Sequence, residues 1–289
     1  MIVVSTPTGQ IGGQTLARVL DGGAPVRVIV RDPARLDARV RERAEVVQGS
    51  ADDVELVVKA CAGAESLLWV VPPNPRAPSV AEHVLDFVRP LCAAITRQGV
   101  RRVVGVSSLG RGAARHAGQI SAIFAMDALV ESTGVHYRAL CPPGFMDNLL
   151  WQAEPIRRHG VFFSSLSADR TVPICATRDI AAAAARLLLD PAWTGQEAVP
   201  VLGPEDLSQN DQAEIMSEVL GRPVRFQRIS PEEHRAALVE QGMSPAWAQG
   251  IVDMASAVDR GIYATGPDAP RSGTTFRQWC ADVLKPVVG

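Results

Sequence analysis

Residues 1–16 read MIVVSTPTGQIGGQTL. The apolar run Ile2–Val4 predicts a buried β-strand, and Gly9 and Gly12 predict a tight turn that leads into a helix. Such a turn lets the backbone come close to a phosphate, and the helix behind it offers free N–H groups and a positive dipole end. This stretch therefore predicts a Rossmann-type fold with a dinucleotide pyrophosphate at the turn.

The end of the second predicted strand indicates which dinucleotide is bound. This strand, Val26–Val30, is followed by Arg31 instead of an acidic residue. An acid at this position holds a ribose 2′-hydroxyl, whereas an arginine accommodates a 2′-phosphate. We therefore predict NADP(H) as the cofactor in preference to NAD(H).

Strand and helix patterns alternate over the first 150 residues, with short connections between them. This alternation predicts a doubly wound parallel sheet, and strands dense in Val, Ile and Leu fit its buried interior. The predicted strands are Ile2–Val4, Val26–Val30, Glu45–Gln48, Ser66–Val71, Arg102–Ser107 and Val135–Cys141. The predicted helices cover residues 12–20, 35–43, 54–61, 79–97 and 120–132.

Beyond residue 150 the alternation decays, and residues 151–167 are predicted to be irregular. A helix from Arg178 and a strand at Ala198–Leu202 are predicted to follow, and then further helices and one more strand. We therefore expect an α/β fold in two parts. Residues 1–150 form the NAD(P)-binding domain. Residues 151–289 form mainly a smaller, discontinuous substrate-binding lobe, some of whose strands and helices return to the main domain.

The composition argues against several classes of protein. A net charge of -2 over 289 residues gives no electrostatic reason to expect nucleic acid. No apolar run reaches membrane-spanning length, and the chain starts with a core strand instead of a signal peptide, so a cytoplasmic protein is expected. The five cysteines are widely spaced and predict neither a metal site nor disulfides. A small molecule is the expected partner, and monomer and homodimer both stay open.

Several motifs fall at the corresponding positions of one known family. They are Thr8–Gly12, Val30–Pro33, Gly49–Asp53, Ser132–Tyr137, Pro143–Asn148, Arg178–Ala181 and Leu202–Glu205. Together they resemble the NmrA-like group of atypical short-chain dehydrogenases/reductases, close to its bacterial quinone- and azoreductase-like members. The resemblance implies a bound NAD(P)H and a reductase activity.

The chain also departs from this family and its relatives. Thr6 and Pro7 stand at the start of the loop, where the first glycine of the family motif is expected. Tyr137 and Tyr263 are the only tyrosines, and neither has the lysine four residues later that short-chain dehydrogenases use to lower the tyrosine pKa. The predicted helix before the sixth strand contains no lysine either. Neither catalytic system can be carried over, so the catalytic residues stay unassigned.

Strand ends and the resemblance together predict the residues of the site. The predicted cofactor contacts are Thr6, Pro7, Thr8, Gly9, Gln10, Ile11, Gly12, Arg31, Ser50, Ala51, Val71, Pro72, Pro73, Ser107, Pro143 and Phe145. The residues predicted to line the substrate cleft are Ser108, Asn148, Trp151 and Phe162.

Two residues are candidates for catalysis. A hydroxyl at Ser107 could polarise a carbonyl or merely cap the next segment, and His116 could act as an acid or be a solvated loop histidine. Asp127 and Glu131 share a helix face four residues apart, which predicts a solvated acidic stripe.

The favoured hypothesis is an NAD(P)H-dependent oxidoreductase that transfers hydride to a small apolar aromatic, quinone or enone acceptor. Direct hydride transfer requires positioning and exclusion of water, and a reduced quinone can take its proton from solvent, so no Tyr-Lys pair is required. Two alternatives stay open. One is a non-catalytic NADP(H)-binding redox sensor or regulator. The other is a tailoring enzyme of secondary metabolism whose chemistry is unusual and need not be redox.

Overall fold

The computed structural model describes residues 1–112, 116–266, 269–271 and 273–289. Its centre is a seven-stranded sheet in the order β10-β6-β5-β4-β1-β2-β3, and every neighbouring pair of strands is parallel. The strands are β1 Ile2–Val4, β2 Val26–Val30, β3 Glu45–Gln48, β4 Ser66–Trp69, β5 Arg102–Val106, β6 His136–Cys141 and β10 Gln196–Pro200. The predicted doubly wound α/β fold is confirmed.

Successive side chains of the central strands enter two different apolar clusters. Leu67 and Val103 pack with α3 Val54–Ala60, α4 Val80–Gln98 and α5 Gln119–Ser132. Their neighbours Leu68 and Val104 pack with α1 Gln10–Asp21 and α7 Thr177–Leu189 on the other face. Because side chains alternate along a strand, a strand that is apolar at every position is buried on both faces.

A smaller lobe lies beyond β6 and has an apolar core of its own. One of its sheets consists of β7 Gly144–Phe145, β9 Val172–Cys175 and β11 Asp206–Leu207, and the other pairs β8 Val161–Ser164 with β12 Arg225–Arg228. The helices that pack in this core are α6 Ala153–His159, α8 Gln209–Leu220, α11 Phe276–Trp279 and α12 Lys285–Val288, with a π-helical turn at Cys280–Leu284 before α12. Two further helices are α9 Pro231–Glu240 and α10 Pro245–Asp259, and Ala257 and Val258 of α10 pack in the cluster that contains α4 and α5. In the described ranges, no helix combines the length and apolar character that crossing a membrane requires.

Two predictions of local structure were wrong. Residues 151–167 are not irregular, since they contain the end of a 3-10 turn, α6 and β8. The predicted helix over residues 35–43 is broken into a 3-10 turn, Pro33–Arg35, and α2 Ala38–Arg43. The break has a local cause, because Asp32 and Asp37 each accept a backbone N–H and so start a separate helical turn.

Candidate active site

The loop between β1 and α1 makes a close turn without strain at Thr6. The Gly9 N–H donates to the Thr6 carbonyl at 3.2 Å, and Gly9 is the N-cap of α1. A Cβ atom at position 12 would lie 2.0 Å from the same carbonyl oxygen, so only glycine allows α1 to start this close to the turn. Among the described non-glycine residues, only His116 has a positive φ. The threonine and proline at the first glycine position are therefore compatible with the turn.

The same loop fits the diphosphate of a dinucleotide. The Thr6 hydroxyl oxygen is buried and has no hydrogen-bond partner in the described part of the chain. The first turn of α1 contains no acidic residue, and no side chain of the described residues caps it. A buried hydroxyl and the free N–H groups of a helix start are both satisfied by an anion at this place. We call the loop Thr6–Gly12 the phosphate cradle. Thr8, Gly9 and Gln10 of this loop are exposed to solvent.

Arg31 lies at the end of β2 with its guanidinium unengaged. The side chain is exposed, and within the described ranges it makes no hydrogen bond or ion pair. The neighbouring Asp32 carboxylate accepts the Ala34 N–H at 3.0 Å, so this acid is committed to capping a turn. Ser50 and Ala51 follow β3 on the adjacent strand end. This corner therefore presents the Arg31 cation to solvent while the acid beside it is occupied.

The remaining predicted contacts follow β4, β5 and β6, which are neighbours in the sheet. The Ser5 hydroxyl accepts the Val70 N–H at 3.2 Å and ties the ends of β1 and β4 together. Val71, Pro72 and Pro73 come next, and the Pro72 carbonyl is 2.8 Å from His83 Nε2. The structure thus places the ends of β1, β4, β5 and β6 along one edge, where ligands bind in such sheets.

Two adjacent serines follow β5, and each has a buried partner. The Ser107 hydroxyl donates to the Asp127 carboxylate at 2.5 Å. The Ser108 hydroxyl contacts Tyr263, which is 6% exposed. Burial raises the pKa of Tyr263 to about 12, and the Ser108 hydrogen bond opposes that rise, so the phenol keeps its proton at neutral pH.

The predicted solvated stripe on α5 was wrong, because Asp127 is fully buried. Its carboxylate accepts hydrogen bonds from Ser107 and from the Tyr137 hydroxyl, the latter at 2.7 Å. Arg111 pairs with Glu131 at 2.7 Å and approaches Asp127 at 3.8 Å. The two acids share a helix face as predicted, yet an arginine and two hydroxyls cover that face.

The chain matches the model of the NmrA-like family over residues 1–263. It belongs to this family. It is 30% identical to the (4-alkanoyl-5-oxo-2,5-dihydrofuran-3-yl)methyl phosphate reductase of Streptomyces griseus, with 98% of this chain and 97% of that protein covered. It is also 30% identical to the NAD(P)H azoreductase of Xenophilus azovorans, with 88% and 86% covered. The predicted membership of the NmrA-like family is confirmed.

Solved structures of other proteins share the fold. The NADPH-dependent quinone oxidoreductase of Escherichia coli, complexed with NADPH, superimposes with a TM-score of 0.82 and 22% identity over the whole of both chains. The triphenylmethane reductase of a Citrobacter species gives a TM-score of 0.78 and 20% identity, with 97% of this chain and 98% of that chain covered. At these identities the likeness shows the fold alone.

In this NmrA-like protein, the predicted substrate residues beyond Ser108 fall into two groups. Asn148 and Trp151 are exposed, and the Trp151 side chain at 59% is the most exposed large apolar side chain described. Phe162 is 1% exposed and packs on Phe226 with ring centroids 5.2 Å apart. The prediction for Phe162 was wrong, because this ring belongs to the core of the lobe and presents no surface to a ligand.

The remaining predicted residues have these positions. His116 is exposed, next to residues 113–115, which lie outside the described ranges. Pro143 is buried and Phe145 is half-buried, beside β7.

Two groups of functional interest were missed in the sequence. Tyr263 follows α10, and no spacing rule links it to Ser108. Asp147 is buried and accepts the Thr177 N–H and hydroxyl at 2.9 and 2.8 Å, while Gln14 of α1 donates to that hydroxyl at 3.1 Å. In the sequence, the Arg178-Asp179 pair predicts the start of α7. No local pattern indicates that Asp147 binds the first residue of this helix.

Proposed function

We propose that this protein uses NADPH to reduce a flat, conjugated carbonyl compound of the quinone or enone type. The observation that carries the proposal is the turn at the start of α1, where Gly12 lets the helix begin close to Thr6 and the buried Thr6 hydroxyl has no hydrogen-bond partner among the described residues. The wider statement, that the chain is an enzyme of the NAD(P)H-dependent reductase class, is supported by relatives named as reductases along nearly its whole length.

The preference for NADPH rests on the corner after β2. The Arg31 side chain is exposed and has no hydrogen bond or ion pair to the described residues, and Asp32 is occupied as a cap. A guanidinium binds a phosphate bidentately and holds a ribose hydroxyl much less well. When bound, the cofactor supplies the hydride, and the cofactor contacts predicted above are the groups proposed to hold it.

The proposed acceptor class rests on what the named relatives act on and on the cleft residues. A dihydrofuranone, azo compounds and quinones are all conjugated, and their reduction leaves a delocalised anion. Such an anion takes a proton from water, which suits a chain without a Tyr-Lys pair. Trp151 offers an exposed flat face, near Asn148 in the chain, on which a conjugated ring can stack. Ser108, held by Tyr263, is the hydroxyl proposed to face the acceptor oxygen.

The test is oxidation of NADPH followed by absorbance of the reduced nicotinamide. The acceptors are a benzoquinone, a naphthoquinone, an azo dye and a 2,5-dihydrofuran-2-one with a phosphomethyl substituent, and cyclohexanone is the unconjugated control. We expect oxidation with at least one conjugated acceptor and none with cyclohexanone, because hydride transfer to an unconjugated ketone leaves a localised, strongly basic alkoxide unless an acid group protonates the oxygen during the transfer. Tight NADPH binding without oxidation of NADPH by any acceptor would contradict the proposal and favour a redox sensor.

A further inference from the structure

A buried carboxylate stands directly behind the end of β5. Asp127 of α5 has no exposed surface, and its two oxygens accept from two different hydroxyls. Ser107 donates to Oδ2 at 2.5 Å, and Tyr137 donates to Oδ1 at 2.7 Å. The phenol reaches Asp127 only because residue 105 of β5 is glycine, since a Cβ atom there would lie 2.3 Å from the Tyr137 hydroxyl oxygen.

The contacts of Asp127 are those of a carboxylate, because two hydroxyls donate to it and a guanidinium lies close by. Burial raises the pKa of Asp127 and the charge of Glu131 adds to that rise, while the Ser107 and Tyr137 hydrogen bonds and the charge of Arg111 oppose it. Each hydroxyl has a single hydrogen, and both hydrogens point at Asp127. Arg111 Nε lies 3.8 Å away and supplies the nearby positive charge. A buried charge is tolerated when it is paired and hydrogen-bonded in this way.

This geometry fixes the hydrogen-bond polarity of Ser107, that is, whether its hydroxyl donates or accepts. Its only proton is given to Asp127, so towards any other group its oxygen can only accept a hydrogen bond. Ser107 therefore cannot polarise the carbonyl of an acceptor while Asp127 is ionised. A group bound to Ser107 must bring its own N–H or O–H.

The sheet order indicates where such a donor comes from. Arg31 follows β2, the phosphate cradle follows β1, and Ser107 follows β5, with β4 between β1 and β5. Strands lie about 4.8 Å apart, so roughly 14 Å of sheet edge separates the end of β2 from that of β5. A dinucleotide whose adenosine phosphate meets Arg31 and whose diphosphate meets the cradle has its nicotinamide half on the Ser107 side.

We infer that Asp127 is a positioning residue that holds Ser107 as a hydrogen-bond acceptor for a donor on the nicotinamide riboside. The inference rests on the proposed NADPH site. The donor is either the carboxamide N–H or a ribose O–H, both of which present a proton to the serine oxygen. Asp127 thus acts through Ser107 and does not itself touch the cofactor.

Replacing Asp127 by asparagine leaves one acceptor oxygen for two hydroxyls. In the orientation that places the amide nitrogen against Ser107, this nitrogen donates to the serine oxygen and turns the serine proton outward against the donor of the cofactor. We expect Asp127→Asn to weaken NADPH binding about tenfold and Ser107→Ala about fivefold, measured by calorimetry. The double variant should bind like Ser107→Ala alone, because alanine has no polarity to reverse.

Matched controls separate this role from general damage. Tyr137→Phe removes the other hydrogen bond of Asp127 and leaves Ser107 an acceptor, so NADPH affinity should stay within about twofold of the unaltered protein. All variants should bind 2′,5′-ADP equally, since this ligand lacks the nicotinamide half. The 3-acetylpyridine analogue, which has no carboxamide N–H, assigns the donor. Sensitivity to Ser107→Ala disappears for a carboxamide contact and persists for a ribose contact.

Three results would overturn the inference. The first is an unchanged NADPH affinity in Ser107→Ala, and the second is an unchanged NADPH affinity in Asp127→Asn. The third is a loss of NADPH affinity on Asp127→Asn that is as large in the Ser107→Ala background as in the protein with Ser107 intact. Should Asp127→Asn not fold, Ser107→Ala decides the matter, because it must weaken NADPH binding and spare 2′,5′-ADP. The readout is binding, so absent turnover would contradict the proposed function alone, whereas no NADPH binding by the unaltered protein would overturn both.

Discussion

Arg31 is a single residue that should decide between two cofactors. Its side chain is exposed at the end of β2 and makes no hydrogen bond or ion pair within the described part of the chain, and the neighbouring Asp32 caps a turn. Removing its guanidinium takes away a charge-assisted hydrogen bond to a 2′-phosphate and nothing that NADH uses. We expect Arg31→Ala to weaken NADPH binding at least about tenfold and to leave NADH binding unchanged, measured by calorimetry. Arg41→Ala, on the exposed face of α2, is the control. An equal loss for both cofactors would contradict the role of Arg31.

Substitutions at Gly12 and Gly9 should have different effects on unfolding free energy. A methyl group at position 12 would overlap the Thr6 carbonyl, so Gly12→Ala must push α1 away from the turn. We expect a loss of about 1–3 kcal/mol in unfolding free energy together with loss of NADPH binding. At position 9 the nearest atom is 3.5 Å from such a methyl, and φ is −84°, so Gly9→Ala should fold normally. Denaturant unfolding with and without NADPH distinguishes the two, and a stable Gly12→Ala would refute the steric argument.

At the scale of elements, α1 and the entrance to the lobe are joined through the start of α7. Asp147 caps this helix in place of a local N-cap side chain and holds Thr177, to which Gln14 of α1 also bonds. Asp147→Asn removes the charge at the helix N-terminus and leaves one acceptor oxygen for the Thr177 N–H and the Thr177 hydroxyl. We expect a loss of about 1–2 kcal/mol in unfolding free energy. Asp53→Asn at the exposed cap of α3 should cost less than about 0.5 kcal/mol, because Asn caps as well as Asp. Equal losses of unfolding free energy for Asp147→Asn and Asp53→Asn, measured by urea unfolding, would contradict the larger contribution expected from the buried cap.

At the scale of elements, some of the structure could be predicted from the sequence and some could not. The central strands β1, β4 and β5 were predictable because a strand buried on both faces is a largely apolar run, and the turn before α1 was predictable because its glycines sit between β1 and that helix. The interior of the lobe was not, since Phe162 lies in a short strand whose partner Phe226 is far along the chain. Asp127 was misread for a similar reason. Helical spacing places it beside Glu131, but only the fold brings Ser107, Tyr137 and Arg111 over that face.

For the whole molecule, two tryptophans should separate stability from function. Trp279 is 1% exposed and stacks on Phe276 at 5.8 Å in the core of the lobe, whereas Trp151 is 59% exposed. Trp279→Ala should lower the unfolding free energy by about 3–5 kcal/mol, measured by urea unfolding. Trp279→Phe should cost about 1.5 kcal/mol or less, because the buried indole N–H has no partner to lose among the described residues.

Trp151→Ala tests the other half of this argument. Its unfolding free energy should stay within about 0.5 kcal/mol of the unaltered protein, since the ring is largely exposed. If the ring stacks on a conjugated acceptor, the KM for that acceptor should rise about threefold to tenfold while NADPH affinity stays the same. Steady-state kinetics at saturating NADPH measures the first quantity and calorimetry the second. An unchanged KM for every conjugated acceptor that is reduced would remove Trp151 from the substrate cleft, and the lobe would then bind its substrate through other residues.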